Sequence, residues 1–171
     1  MSDVRQLRED FDRSFAEAPT PRGAAPEEFL AVRVGGEPYA LRLSEVVALH
    51  RDVLVSPYVV GANPVLLGLA VFHGAAAPVY DLGALLGAPA RPPPRWVVLA
   101  RAPALVGLAF DRFEAHVAVD AGELVAAAQG APGGAMVRGA VPVGGAARPL
   151  VHVRSVVDAI ERLIRPRGEG L

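Results

Sequence analysis

Breakers set the limits of this chain. Eighteen glycines and sixteen prolines take about a fifth of its 171 residues, and they are spread along the sequence instead of gathered in linkers. Helical bundles need uninterrupted runs of about ten residues or more, which proline ends and glycine weakens. Short strands joined by tight turns fit this punctuation. The sharpest case runs from Val53 to Tyr80, where no Asp, Glu, Lys or Arg occurs. Its length would suit a transmembrane helix, but Pro57, Gly61, Asn63, Pro64, Gly68, Gly74 and Pro78 interrupt it. Open strands do not span lipid, because their backbone groups go unpaired there. No membrane insertion is expected. The first residues are acidic and lack the apolar stretch of a signal peptide, so the expected location is the cytoplasm.

Composition then removes whole classes of chemistry. All seventeen basic residues are arginine, and cysteine is absent. Without lysine there is no P-loop lysine and no Schiff-base lysine. Without cysteine there is no thiol nucleophile, thiolate metal site or disulfide. A net charge of −1 argues against nucleic acid as a partner, since that binding rests on clustered positive charge.

Residues 1–26 read as an N-terminal extension, partly helical or disordered. Val4, Leu7, Phe11 and Phe15 recur there at helical spacing, a narrow apolar stripe that suits a partner-docking helix. From Glu27 the chain alternates, and Gly35-Gly36 marks a tight hairpin. Strands are expected at Leu69–Phe72 and Ala75–Tyr80, with Asp81 capping a short helix that stops at Gly87. After the proline-rich stretch 88–94, strands are expected at Trp96–Ala100, Leu105–Phe110, Arg112–Val119, Val137–Val143 and Leu150–Val153. A closing helix follows, with Ser155 and Asp158 as a capping pair and Pro166 as its stop.

A shift of 71 positions superposes Gly68, Gly74, Ala75, Ala76 and Pro78 on Gly139, Gly145, Ala146, Ala147 and Pro149. The same shift sets Val79-Tyr80-Asp81-Leu82 against Leu150-Val151-His152-Val153. The strand–turn–strand–helix order therefore occurs twice. The expected fold is all-β with short helices: two small β-barrels in pseudo-repeat, about 27–87 and 95–165, with a C-terminal helix and a tail at 166–171. Closure would protect the edges of such short strands.

No constellation for catalysis emerges. His50, His73, His116 and His152 lie too far apart for a metal-site spacing, and no nucleophile elbow or glycine-rich phosphate loop occurs. An enzymatic alternative would be a hydrolase using His73 and Asp81, but nothing nucleophilic accompanies them. Neither a cofactor nor a metal is expected. A binding surface remains.

Two strings carry a resemblance: EEFLAVRVGGEPYALRLSEV (27–46) and GLAVFHGAAAPVYDLGALLG (68–87). They resemble the CheW family of bacterial chemotaxis adaptors, whose members carry a Gly, four residues, Arg-Gly, then Pro, two hydrophobic residues and Asp-Leu. Residues 105–119 and 139–157 extend the likeness over nearly the whole body. The resemblance implies two five-stranded SH3-like barrels and a non-enzymatic scaffold joining a methyl-accepting chemoreceptor to the CheA-type histidine kinase. The groove between the barrels would take the receptor's helical hairpin, at Val46, Gly68, Phe72, His73 and Gly74. One end of a barrel would take the kinase regulatory domain.

The chain departs from the family at four positions. His73 stands where the family has Arg, Val71 where it has Asn, Ala48 where Glu is usual, and His152 where a late Asp or Asn is expected. Losing the Glu and Arg together avoids stranding one charge. A charge-assisted hydrogen bond contributes about 1.5–3 kcal/mol, or roughly ten- to a hundred-fold in affinity. The expected result is an adaptor that keeps the receptor and holds the kinase weakly.

Overall fold

The computed structural model describes residues 25–58, 63–89, 93–100, 103–127 and 129–165. The stripe of Val4, Leu7, Phe11 and Phe15 and the tail at 166–171 lie outside the described residues. Ten strands follow in order: β1 (Glu27–Val34), β2 (Glu37–Arg42), β3 (Val46–Arg51), β4 (Leu66–Phe72), β5 (Ala75–Asp81), β6 (Trp96–Ala100), β7 (Val106–Phe110), β8 (Arg112–Val119), β9 (Val137–Val143) and β10 (Ala146–Val151). Helix α1 (Leu82–Leu85) follows β5, and α2 (Val153–Ile164) follows β10.

The strands form two five-stranded mixed sheets, ordered β8-β1-β2-β10-β9 and β3-β6-β7-β5-β4. Neither closes into a barrel, which corrects the expectation of two SH3-like barrels. At the open side of the second sheet, β3 and β4 share no ladder; the chain after β3 touches β4 through one bridge, Ser56 to Leu69. Pro57 and Pro64 fix φ and remove donors in that segment, which cuts the pairing short. At the open side of the first sheet a single bridge joins Val125 to Ala140. The next outward position on β9 is Pro142, which has no N–H to donate.

Sheet membership also crosses the two halves of the chain. The hairpin β1–β2 pairs with β8 and β10, while β6–β7 pairs with β3 and β5. Each half lends a hairpin to the sheet built mainly by the other. The repeat itself is present in backbone detail: β4, β5 and α1 begin at Leu66, Ala75 and Leu82, and β9, β10 and α2 begin 71 positions later.

Both faces of the central strands are covered, which is why they read as apolar runs and not as clean alternations. Val98 and Ala100 of β6 face the core between the sheets, with Leu30, Val32, Leu41, Leu108 and Phe110. Their neighbours Val97 and Leu99 face a smaller cluster with Phe72 and Val79. Phe29, Ala40, Val119, Val141 and Leu150 make its counterpart in the first sheet. Helix α2 plugs the shared core with Val153, Val156, Val157 and Ile160.

Helix starts repeat too. Asp81 caps α1, its carboxylate accepting from the Ala84 N–H at 3.2 Å. The cap of α2 is His152 and not the Ser155–Asp158 pair: Nδ1 of His152 accepts from the Ser155 N–H at 3.3 Å. Its Nε2 lies 3.5 Å from a carboxylate oxygen of Glu45, so a ring nitrogen does the work of the acid found in the first half.

Candidate functional site

Where β3 and β4 fail to join, a groove of about 690 Å³ opens. His50, Val53, Leu54 and Ser56 form one wall, and Leu69 through His73 with Ala76 form the other. Strand alternation explains the second wall. Gly68, Ala70 and Phe72 point inward and are buried, while Leu69 and Val71 point outward. Val71 is 69% exposed and Leu54 86% exposed, large values for apolar side chains flanking one groove.

His73 sits at the tip of the β4–β5 hairpin with φ 49°, followed by Gly74 at φ 85°. Positive φ at both central residues is the geometry of a type I′ turn, which asks for Gly, Asn or Asp first. The turns Gly35-Gly36 and Gly144-Gly145 have positive φ at both residues as well, and there glycine fills both places. His73 is therefore held in a conformation that costs a Cβ-bearing residue about 1 kcal/mol. Its ring centroid is 5.6 Å from that of His50, which is 5.1 Å from Phe72. His50 Nε2 is buried and has no hydrogen-bond partner.

Of the five expected receptor-groove residues, the structure brings Phe72, His73 and Gly74 together at one end of the groove. Gly68 lies in the groove-side strand, but its role is backbone approach: a Cβ there would stand 2.1 Å from the Ser56 carbonyl oxygen. Val46 lies elsewhere. A bulge between Val46 and Ala48 resets the alternation, so Val46 and Leu49 pack on the core between the sheets while Ala48 packs on the Phe72 cluster. The space between the two sheets is filled by that core, and the groove opens at the outer edge of the second sheet instead. His50 and Leu54 also line the groove and were not among the expected residues. Alternation along Ala48 and His50 was the signal, and the bulge hid it.

The hydrolase alternative is excluded by distance. His73 precedes β5 and Asp81 ends it, so they stand about 20 Å apart at the usual rise per residue, and the Asp81 carboxylate is engaged at the helix cap. Among the described residues no group of three or more His, Asp or Glu is arranged to hold a metal. At the end of β3, Arg95 donates to Asp52 at 2.8 Å and holds that carboxyl below its ordinary range. Arg51 lies over the Trp96 ring at 5.5 Å, on the side away from the groove. Among the described residues, the groove lining carries no carboxylate and no guanidinium.

A family model described as the CheW-like domain matches residues 28–161. The chain belongs to the CheW-like family. CheW-like domains are non-catalytic scaffolds of chemosensory signalling, and they generally interact with chemoreceptors and CheA. The chain is thus a non-enzymatic chemosensory adaptor or scaffold. Among solved structures it is similar to the scaffolding protein TtCheW from Thermoanaerobacter tengcongensis, with 16% identity and a TM-score of 0.67. That match covers 74% of this chain and 88% of the other, a likeness of fold. No curated protein matches the chain. No helix among the described residues is long and apolar enough to cross a membrane.

Proposed function

We propose that this CheW-like chain binds the helical tip of a methyl-accepting chemoreceptor at the groove between β3 and β4, and that it holds a CheA-type kinase only weakly. The observation that carries the reading is His73. Strain retained at a turn whose two counterparts are relieved by glycine points to a side chain kept for contact. The setting fits helix-in-groove recognition, in which a few apolar anchors supply most of the affinity. Leu54, Leu69 and Val71 offer such anchors around His73, with Gly74 leaving the approach clear. Gly68, Phe72 and Val46 act from behind, by fixing the edge strand and the bulge.

The weak arm rests on Ala48 and His73. An ion pair between these two positions is absent from this sequence, and a lost charge-assisted contact weakens binding by roughly ten- to a hundred-fold. Calorimetric titration of the full chain against a receptor tip and against a kinase regulatory domain tests both arms. The expected result is saturable receptor binding with kinase binding at least tenfold weaker. Equal, tight binding to the two would reject the reading.

A further inference from the structure

The repeat supplies an internal control for the groove. The outward positions of β4 and its turn, Leu69, Val71 and His73, correspond by the 71-residue shift to Ala140, Pro142 and Gly144 on β9 and its turn. The backbone follows a similar course at both places. Leu69 bridges to Ser56 and Ala140 bridges to Val125, and His73 and Gly144 have φ 49° and 58°. The side chains differ in kind. One edge presents two branched apolar groups and an imidazole; the other presents a methyl, a proline ring and no side chain at all, with Arg138 beside them exposed. Arginine and proline on an edge strand discourage pairing with another strand, and a methyl, a proline ring and a bare glycine leave a helix few apolar anchors there.

We propose that the adaptor is one-sided: the β4 edge takes a single amphipathic helix, and the repeat-related β9 edge is closed to that helix. The occupant's chemistry follows from the lining. Among the described residues the groove walls are apolar apart from the Ser56 hydroxyl and the imidazoles of His50 and His73. A helix with an apolar contact face and a carboxylate or amide oxygen opposite His73 is matched to them. A lysine or arginine at that point would be desolvated beside imidazoles with no carboxylate to receive it. Leu69, Val71 and His73 are then the residues that decide which edge is used.

This inference rests on the receptor reading above, and one experiment separates the two. The full chain is titrated with a receptor-tip hairpin, and stoichiometry and affinity are read together. A triple variant, Leu69→Ala, Val71→Pro and His73→Gly, gives the β4 edge the residues that the repeat-related hairpin already carries at β9. Circular dichroism of the variant should therefore be unchanged. The expected result is one helical tip per chain for the parent and at least a hundred-fold weaker binding for the triple variant. A parent that does not bind sinks the receptor reading. A parent that binds two tips, or a folded triple variant that binds as well as the parent, overturns the one-sided edge while leaving receptor binding in place. A receptor tip carrying arginine at the residue facing His73 should bind at least tenfold more weakly; undiminished binding would overturn the assigned chemistry.

Discussion

At the scale of single residues, charge and shape do different jobs in the two sheets. Glu114 of β8 joins three strands of the first sheet. One carboxylate oxygen receives Arg33 Nε at 2.7 Å and the other receives Arg148 Nη2 at 2.6 Å. Arg33 and Arg148 lie on β1 and β10, so the trio ties together strands far apart in sequence. The two guanidinium groups hold the Glu114 carboxyl below its ordinary value. As pH falls, the unfolded chain therefore takes up its proton first, near pH ~4.3. The stabilisation is complete above that value and is lost as pH drops through the lower folded-state value. Glu114→Gln is expected to cost about 1 kcal/mol at neutral pH, with the difference shrinking toward pH 3. Urea midpoints of the two proteins at pH 7 and pH 3 check this, and a gap that stays constant would refute the assignment. Some of this scale is legible in the sequence and some is not. Asp81 announces itself as a cap because aspartate is a common N-cap. His152 does not, since histidine is a rare one, and only its place 71 residues after Asp81 betrays it. Val46 packs on the core and not in the groove, because of a bulge that cannot be read from alternation alone.

At the scale of elements, hairpins and helix ends are written locally, so they can be read locally. Gly35-Gly36, Gly74 and Gly144-Gly145 mark their turns, and Pro166 follows the last helix. The single bridges that replace barrel closure are harder, because they depend on where a distant segment approaches. Gly68 shows how tight that approach is. Its φ is 150°, and an added Cβ would meet the Ser56 carbonyl oxygen at 2.1 Å. The equivalent Gly139 has φ 104°, and its Cβ would stand 2.9 Å from the Val125 carbonyl oxygen. Gly68→Ala should therefore cost about 2–4 kcal/mol, and Gly139→Ala less. Denaturant midpoints rank the pair; equal losses would mean that the Ser56 bridge is not what fixes β4. Because Ser56 lines the groove that β4 walls, Gly68→Ala should also reshape the docking edge without touching its side chains.

At the scale of the whole molecule, the exchange of hairpins is the property that local patterns cannot carry. The sequence repeat is visible as a 71-residue shift, and two self-contained barrels are its simplest reading. Nothing in the strand patterns says that β1–β2 will pair with β8 and β10 while β6–β7 pairs with β3 and β5, because every such pairing is between segments remote in sequence. The consequence is energetic. Neither sheet exists without strands from both halves, and the largest core is shared by both, so the sheets should unfold together as one cooperative unit. The single tryptophan, Trp96, lies on β6 in the second sheet and reports on that sheet by fluorescence. Phe29, fully buried, belongs to the cluster formed by the first sheet alone. Phe29→Leu should cost about 1 kcal/mol and should lower the Trp96 fluorescence midpoint in denaturant by the same amount as the circular-dichroism midpoint. If the first sheet melted early while the Trp96 transition stayed at its parent value, the sheets would be independent domains and the reciprocal exchange would not couple them. Coincident shifts would instead mean that strain placed in either half reaches the β4 groove through the shared core.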